Sequence, residues 1–318
     1  MTTPSSGRHL VERAMEALQG SAATDPRPPA SVARPEPAMA EAGATATATV
    51  ERPAPPPLGN ETAAPPRPAP PRHEPITSED LQKAGFVVPG GAAARSRVTE
   101  ELNIVQHQIR RMVQATEPAE GRLQRLVLVT SARPGEGKTF CSLNIAARLA
   151  IGSAEQVILV DGDSKQQHSI THLLERDKVP GLRALAQDPM QRPEHLLQPT
   201  AIERMSFVSY GPAAPGQSGL PSGAMLANAI GRLAAALPNR LIVLDAPPCL
   251  YTSEPAALAS VAGQVVLVVR AESTQRDEVE GALDMVESCP NLQLLLNRTR
   301  MVPSNTFGAY DYYGYYSG

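Results

Sequence analysis

A glycine-rich turn between an apolar run and a helical pattern is the feature that most constrains the fold of this chain. The segment LVLVTSARPGEGKTFCSLNIAARLA, at 126–150, has the pattern of a strand, a turn and a helix in succession. Gly135 and Gly137 allow the backbone N–H groups of the turn to curve around an anion without interference from a Cβ atom. The following helix presents its positive dipole end to the same anion. The segment therefore predicts a phosphate-binding loop.

The loop also carries the polar side chains that a bound nucleoside triphosphate requires. Lys138 can reach the β- and γ-phosphates, and the hydroxyl of Thr139 suits Mg²⁺. Ala132 stands where the pattern G-x-x-x-x-G-K-[ST] has its first glycine, so the strict pattern fails at one position. The predicted nucleotide-binding residues of the loop are Arg133, Pro134, Gly135, Glu136, Gly137, Lys138, Thr139 and Phe140.

Three carboxylates follow two further apolar runs. Asp161 comes directly after VILV, Asp163 follows two residues later, and Asp245 comes directly after LIVL. Ligands of open α/β sheets bind outside the carboxyl ends of the strands, so we expect these acids to converge with Lys138 on one site. A single aspartate after a strand can also be only a helix cap. Asn297, at the end of the last apolar run, is either an adenine-contacting residue or a turn residue.

The pattern of the central region predicts an α/β fold. Short β-branched runs alternate with longer helical patterns between residues 120 and 303, and the runs lie at 126–130, 156–160, 205–210, 241–245, 264–269 and 292–297. Near-continuous apolar strands that alternate with helices indicate a mostly parallel sheet with helices on both faces. Together with the loop, this predicts a P-loop NTPase domain at 120–303.

The flanking regions differ sharply in composition. Residues 1–19 have the spacing of a short amphipathic helix, and 20–75 is a linker rich in proline and alanine, which predicts disorder. Residues 76–119 predict a helical lead-in, with an apolar stripe on its second helix at Val98, Leu102, Val105, Ile109 and Val113. Residues 304–318 form a tyrosine-rich tail with glycine spacing, which predicts a flexible end.

Charge and composition exclude several classes of protein. A net charge of -3 argues against nucleic acid as a partner. The three cysteines form no C-x-x-C pair and no even set, which suits a reducing cytoplasm. No apolar run approaches the roughly 20 residues of a membrane-spanning helix. We therefore expect a cytoplasmic protein without a direct membrane span.

Three motifs together resemble those of a known family. SARPGEGKT (131–139), ILVDGDSK (158–165) and LIVLDAPP (241–248) look like the Walker A, A′ and B elements of the bacterial tyrosine kinases, which are related to MinD/ParA-type ATPases. These autokinases control capsule and exopolysaccharide synthesis. The segments LVERAMEALQG, DLQKAGFVVPG and TEELNIVQHQIRRM are similar to the exosortase-associated branch of that family.

The resemblance implies a substrate, partners and a modification region. The substrate of the protein would be ATP with Mg²⁺. The protein would assemble into a ring-like homo-oligomer, and its activator would be a membrane polysaccharide co-polymerase (a chain-length determinant protein). That partner would hold the protein at the inner face of the cell membrane. The family's autophosphorylation region corresponds to the tail cluster, whose candidate phosphoacceptors are Tyr310, Tyr312, Tyr313, Tyr315 and Tyr316.

The residue types and the demands of phosphoryl transfer suggest roles for the acids. Thr139, Asp161 and Asp245 would hold the metal, and Asp245 would orient a metal-bound water. Asp161 would accept the proton of a tyrosine hydroxyl, whose free pKa is about 10, and Asp163 would support either the metal or Asp161. Arg133 is either a solvated arginine or a counterpart of a lysine that reaches across a dimer in one branch of these ATPases.

Two departures from the family pattern keep a second function open. The A′ motif continues as SKQQ (164–167), without the usual arginine and proline, and ELNIVQH (101–107) lacks both arginines of the oligomerisation pattern E-x-x-R-x-x-R. Both changes leave the nucleotide-binding motifs intact. They favour a scaffold related to MinD/ParA ATPases, which binds ATP and recruits a membrane partner through residues 8–19 without phosphorylating tyrosine. The tyrosine cluster favours the kinase.

Overall fold

A computed structural model describes residues 73–87, 97–116, 119–165 and 167–299. The predicted N-terminal helix, most of the linker and the tyrosine tail lie outside the described residues. The domain boundaries deduced from composition therefore stay predictions.

One seven-stranded sheet forms the centre of the described structure, in the spatial order β3-β4-β2-β5-β1-β6-β7. All neighbours are parallel except β3 and β4. The predicted mostly parallel sheet is thus confirmed, and the sequence pattern missed only the two-residue strand β3. The strands are β1 (Leu123–Ser131), β2 (Gln156–Asp161), β3 (Gln198–Pro199), β4 (Met205–Val208), β5 (Arg240–Asp245), β6 (Ala262–Arg270) and β7 (Leu292–Asn297).

Helices cover both faces of this sheet. The α-helices are α1 (Ser78–Lys83), α2 (Arg97–Ala115), α3 (Lys138–Ile151), α4 (Ile170–Leu173), α5 (Leu182–Gln187), α6 (Gly223–Ala236), α7 (Glu254–Val261) and α8 (Arg276–Val286), and a 3₁₀ turn spans Pro193–Leu196. Side chains alternate between the faces along each strand. Leu126 and Leu128 of β1 pack in a core with α6, α7 and α8, whereas Val127 and Val129 pack with α2 and α3.

The predicted helical lead-in forms two helices. A capping box between Thr77 and Asp80 starts α1. On α2, the predicted stripe is buried at Leu102, Ile109 and Val113, whereas Val98 is exposed. The stripe therefore identifies the packed face of α2 except in its first turn.

Candidate functional site

The parallel register brings two of the predicted acids together. Asp161 ends β2 and Asp245 ends β5, and the two residues are direct partners across the sheet. On the other side of β5, Asp245 is paired in register with Val129, two residues before the end of β1. The acids therefore lie at the same edge of the sheet as the loop that follows β1.

The loop between β1 and α3 has the backbone that its glycines predict. Gly135 and Gly137 have φ angles of 84° and 95°, in the left-handed region that glycine adopts without strain. Gly137 is the N-cap of α3, which begins at Lys138. Because Gly137 has no side chain, the amide of Asn297 fits against it; a Cβ atom there would lie 2.2 Å from Asn297 Nδ2.

Lys138 is the cation of the site. Its Nζ lies 2.8 Å from Asp163 Oδ2 and 3.7 Å from Asp245 Oδ2, and its side chain is only 11% exposed. Burial alone would lower the pKa of Lys138, but the charges of Asp245 and Asp163 more than offset that effect and raise the pKa above its ordinary value. Lys138 therefore stays charged at neutral pH, as a phosphate-binding lysine must.

Asp245 accepts hydrogen bonds at both carboxylate oxygens. The hydroxyl of Thr139 donates to Oδ2 at 2.9 Å, and the hydroxyl of Ser142 lies 2.9 Å from Oδ1. Burial raises the pKa of Asp245, while Lys138 and the two hydroxyls act in the opposite direction. A carboxylate beside a loop threonine is the oxygen donor set that Mg²⁺ prefers, so Thr139 and Asp245 fit the metal.

Asp161 is fully buried and is held by backbone groups. The N–H groups of Asp163 and Thr171 donate to its two oxygens at 3.0 and 2.7 Å. Burial, reinforced by the charge of Asp245, raises the pKa of Asp161 to about 6. Asp161 thus lies next to Asp245 with a proton affinity closer to neutral pH than an ordinary aspartate has.

The far side of the loop contacts the end of β7, the connection after β6 and the first turn of α8. Asn297 Nδ2 donates to the carbonyl oxygen of Glu136 at 2.8 Å, so Asn297 contacts the phosphate loop itself. Arg133 Nη1 forms a 2.9 Å ion pair with Glu278 on α8 of the same chain. The carboxylate of Glu136 accepts from the hydroxyl of Thr274.

Of the remaining predicted residues, Pro134 is exposed and Phe140 is 36% exposed on the first turn of α3. The five tail tyrosines lie outside the described residues. Sequence reasoning missed Ser142, Thr171 and Thr274. Ser142 had one available signal, because a position four residues after Lys138 lies on the same face of the helix.

No helix within the ranges that the structure describes is both long and apolar enough to cross a membrane.

The fold and the loop together define the class of protein. A parallel sheet whose first strand leads through the GEGKT turn into a helix, with an aspartate at the end of a neighbouring strand, is the arrangement of a P-loop nucleotide-binding domain. The predicted fold class is therefore confirmed.

Comparison with curated sequences finds tyrosine-protein kinases, although no protein-family model matches the chain. Tyrosine-protein kinase YwqD of Bacillus subtilis is 25% identical over 191 residues, which are 59% of this chain and 78% of YwqD. Tyrosine-protein kinase CpsD of Streptococcus pneumoniae is 25% identical over 193 residues, or 60% of this chain and 83% of CpsD. Tyrosine-protein kinase wzc of Salmonella typhimurium is 29% identical over 161 residues, or 50% of this chain.

The chain spans 21% of the length of wzc, because wzc is a much longer protein. Among solved structures, the chimerical protein CapA2B2 superposes with a TM-score of 0.52 at 21% identity, over 70% of this chain and 99% of that one. The kinase domain of the Escherichia coli tyrosine kinase ETK superposes with a TM-score of 0.51 at 18% identity, over 70% of this chain and 85% of that one. The resemblance to the bacterial tyrosine kinases, predicted from the motifs, is confirmed.

Proposed function

We propose that this protein is an ATP-dependent protein-tyrosine autokinase that phosphorylates its own C-terminal tyrosine cluster and regulates exopolysaccharide synthesis. The observation that carries the proposal is the convergence of Lys138, Thr139 and Asp245 beside a glycine-bearing phosphate loop. The tyrosine-protein kinases among its relatives support the reaction class.

Phosphoryl transfer depends mainly on positioning and on neutralising the charge of phosphate oxygens. The loop backbone at 135–139 and the ammonium of Lys138 would hold the β- and γ-phosphates. To do so, Lys138 would exchange its 2.8 Å contact with Asp163 for the phosphates. Thr139 and Asp245 would hold Mg²⁺, which neutralises phosphate charge when it is bound. Asp245 is suited to this task because the hydroxyls of Thr139 and Ser142 fix both of its oxygens.

As the tyrosine oxygen bonds to the γ-phosphorus, the bond from that phosphorus to the β,γ-bridging oxygen breaks, ADP leaves, and the acceptor hydroxyl gives up its proton. We assign that proton to Asp161, whose pKa of about 6 makes it a better base than an ordinary aspartate. Asp163 would take part by holding Lys138 while the phosphates are absent. The acceptors would be Tyr310, Tyr312, Tyr313, Tyr315 and Tyr316, because such tyrosines on a glycine-spaced tail can enter a site.

A membrane polysaccharide co-polymerase would act as the activator and would hold the protein at the inner face of the membrane. The chain would also form a homo-oligomer in which each tail enters a neighbouring site. Each phosphate adds a charge of about -1.5 to -2, so several phosphates would drive the tails out of an acidic site. Phosphorylation would therefore favour disassembly.

The decisive experiment is phosphosite mapping by mass spectrometry after incubation of the purified chain with Mg²⁺ and ATP. We expect phosphotyrosine between residues 310 and 316, and none in Lys138→Met. The scaffold related to MinD/ParA ATPases predicts a different result, namely ATP binding without phosphotyrosine even when a co-polymerase's cytoplasmic segment is added. The altered segments at 101–107 and 164–167 are the features that favour this alternative.

A further inference from the structure

Glu136 is an acidic side chain in the middle of a loop built to bind anions. It is buried, with 3% of its surface exposed. A carboxylate there would repel phosphates unless its charge were directed away from them and satisfied by other donors. The contacts of Glu136 therefore bear on nucleotide binding.

Both oxygens of the Glu136 carboxylate are engaged. Oε2 accepts the backbone N–H of Arg133 at 2.8 Å, which closes the loop on itself. Oε1 accepts the hydroxyl of Thr274, a residue of the connection between β6 and α8. Thr274 Oγ1 in turn accepts the N–H of Arg270, at the end of β6, at 3.2 Å. One short chain of hydrogen bonds thus joins the phosphate loop to β6.

A second link crosses the same gap. Arg133 pairs with Glu278 Oε1, and Glu278 Oε2 accepts the N–H of Gln275 at 2.9 Å, within the capping box of α8. The loop is thus attached twice to the connection at 271–275 and the first turn of α8. Because β6 and β5 lie on opposite sides of β1, this attachment is on the side away from Asp161 and Asp245.

We propose that Glu136 is a positioning residue and that its hydrogen bond with Thr274 holds the phosphate loop in its nucleotide-binding shape. The β6–α8 connection then sets nucleotide affinity although it supplies no ligand to the phosphates. This inference rests on the proposed nucleotide site but not on tyrosine as the acceptor. Any change that moves the start of α8 would be transmitted to the loop through Thr274.

The test measures the affinity for ADP and for Mg·ATP by calorimetry on the full chain. Thr274→Val keeps the size of the side chain and removes the hydroxyl, and we expect it to weaken binding roughly 10- to 100-fold. Thr274→Ser keeps the hydroxyl and should bind within about threefold of the wild type. Glu136→Ala should weaken binding at least as much as Thr274→Val, because it also removes the acceptor for the N–H of Arg133. Glu136→Gln should bind nucleotide more tightly than Glu136→Ala, because its amide can accept from Arg133 and donate to Thr274.

The double variant Glu136→Ala/Thr274→Val gives the coupling between the two residues. The effects of removing the two partners of one hydrogen bond are non-additive, so the double variant should bind about as weakly as Glu136→Ala alone. Thermal melting without nucleotide checks that Thr274→Val is folded. The inference would be overturned if Thr274→Val and Thr274→Ser bound nucleotide equally well, or if the losses of affinity in the two single variants were additive in the double variant. Either result would leave the proposed function standing, provided that the wild type binds nucleotide. A wild type that binds no nucleotide would overturn both.

Discussion

The hydroxyl of Ser142 lies 2.9 Å from Oδ1 of Asp245, at the centre of the candidate site and away from solvent. Ser142 is on the second turn of α3, four residues after Lys138, and its hydroxyl is also 2.9 Å from the Lys138 carbonyl oxygen. One side chain of the loop helix therefore supports the acid that ends β5. The site and the packing of α3 on the sheet depend on the same contact.

Replacing Ser142 should destabilise the fold measurably. We expect Ser142→Ala to lower the free energy of unfolding by about 1–3 kcal/mol, because it removes a donor from a buried carboxylate. Urea unfolding without nucleotide measures the effect. Ser153→Ala is the matched control, since that hydroxyl bonds Leu149 O at 2.7 Å at the other end of α3. Similar losses in the two variants would contradict a special role for Ser142.

Replacing Lys138 should abolish ATP binding and lower the stability of the fold. Without the ammonium, Asp163 and Asp245 lose their partner in a buried site, so we expect Lys138→Met to lower the free energy of unfolding by about 3–5 kcal/mol and to abolish ATP binding. Lys83→Met is the matched control, because Lys83 pairs with Glu79 on an exposed helix surface. That variant should change stability by less than about 1 kcal/mol. If Lys138→Met and Lys83→Met lose the same free energy of unfolding, the buried ion pairs of Lys138 do not stabilise the fold.

The two loop glycines should differ in their tolerance of alanine. Gly135→Ala introduces only the strain of a left-handed residue, about 1–2 kcal/mol, because nothing lies within 4 Å of its Cβ position. Gly137→Ala has the same strain and also a collision with the Asn297 amide, so it should lose more free energy of unfolding than Gly135→Ala. Adding Asn297→Ala should recover part of that extra loss. Urea unfolding of the two single variants and the Gly137→Ala/Asn297→Ala double variant checks this, and an absence of recovery would show that the collision is relieved in another way.

The sequence was sufficient to predict the residues that a regular pattern positions. Asp161 and Asp245 each end an apolar strand, and parallel strands meet at one edge, so their proximity follows from the pattern alone. The strand ends were predictable to within a few residues for the same reason. Lys138 and Thr139 were predictable because the loop fixes their spacing from the glycines.

Contacts between segments far apart in sequence were not predictable. Thr274 and Asn297 reach Glu136 across 138 and 161 residues, and no periodicity encodes such a pair. The ion pair of Arg133 with Glu278 likewise depends on the position of α8 beside the loop. Strand β3 was not predicted, because two residues are too few to show an alternation of apolar and polar side chains.

The first part of the lead-in, residues 76–87, should be held less firmly against α3 when Asn144 is changed. The Asn144 side chain accepts the N–H of Val87 at 2.9 Å and donates to the carbonyl oxygens of Gly85 and Phe140 at 3.0 and 2.9 Å. Asn144→Leu removes all of these bonds and should lower the free energy of unfolding by about 2–4 kcal/mol. Asn144→Asp keeps the acceptor for Val87 but sets a buried carboxylate, which only accepts, against the carbonyl oxygens of Gly85 and Phe140, so it should lose at least as much free energy of unfolding.

Hydrogen exchange at residues 76–87 gives the local readout for these variants. We expect faster exchange there in Asn144→Leu than in the wild type, because the segment loses its polar attachment to α3. Unchanged exchange in this segment would show that its apolar contacts, including buried Ile76 and Leu81, hold it without Asn144.

The buried acid Asp161 should give a specific pH dependence. Its pKa is about 6 in the folded chain and 3.8 in the ordinary state, so between these values the unfolded chain has lost a proton that the folded chain keeps. The contribution of Asp161 to the free energy of unfolding therefore falls by about 3 kcal/mol as the pH rises from 3.8 to about 6, and it is constant above that range. Asp161→Asn has no such proton. The wild-type free energy of unfolding minus that of Asp161→Asn, measured by urea with a metal chelator present, should decrease from about pH 4 to pH 7. A difference that stays flat or rises with pH would mean that Asp161 is already ionised in the acid range and is a poor choice for the base.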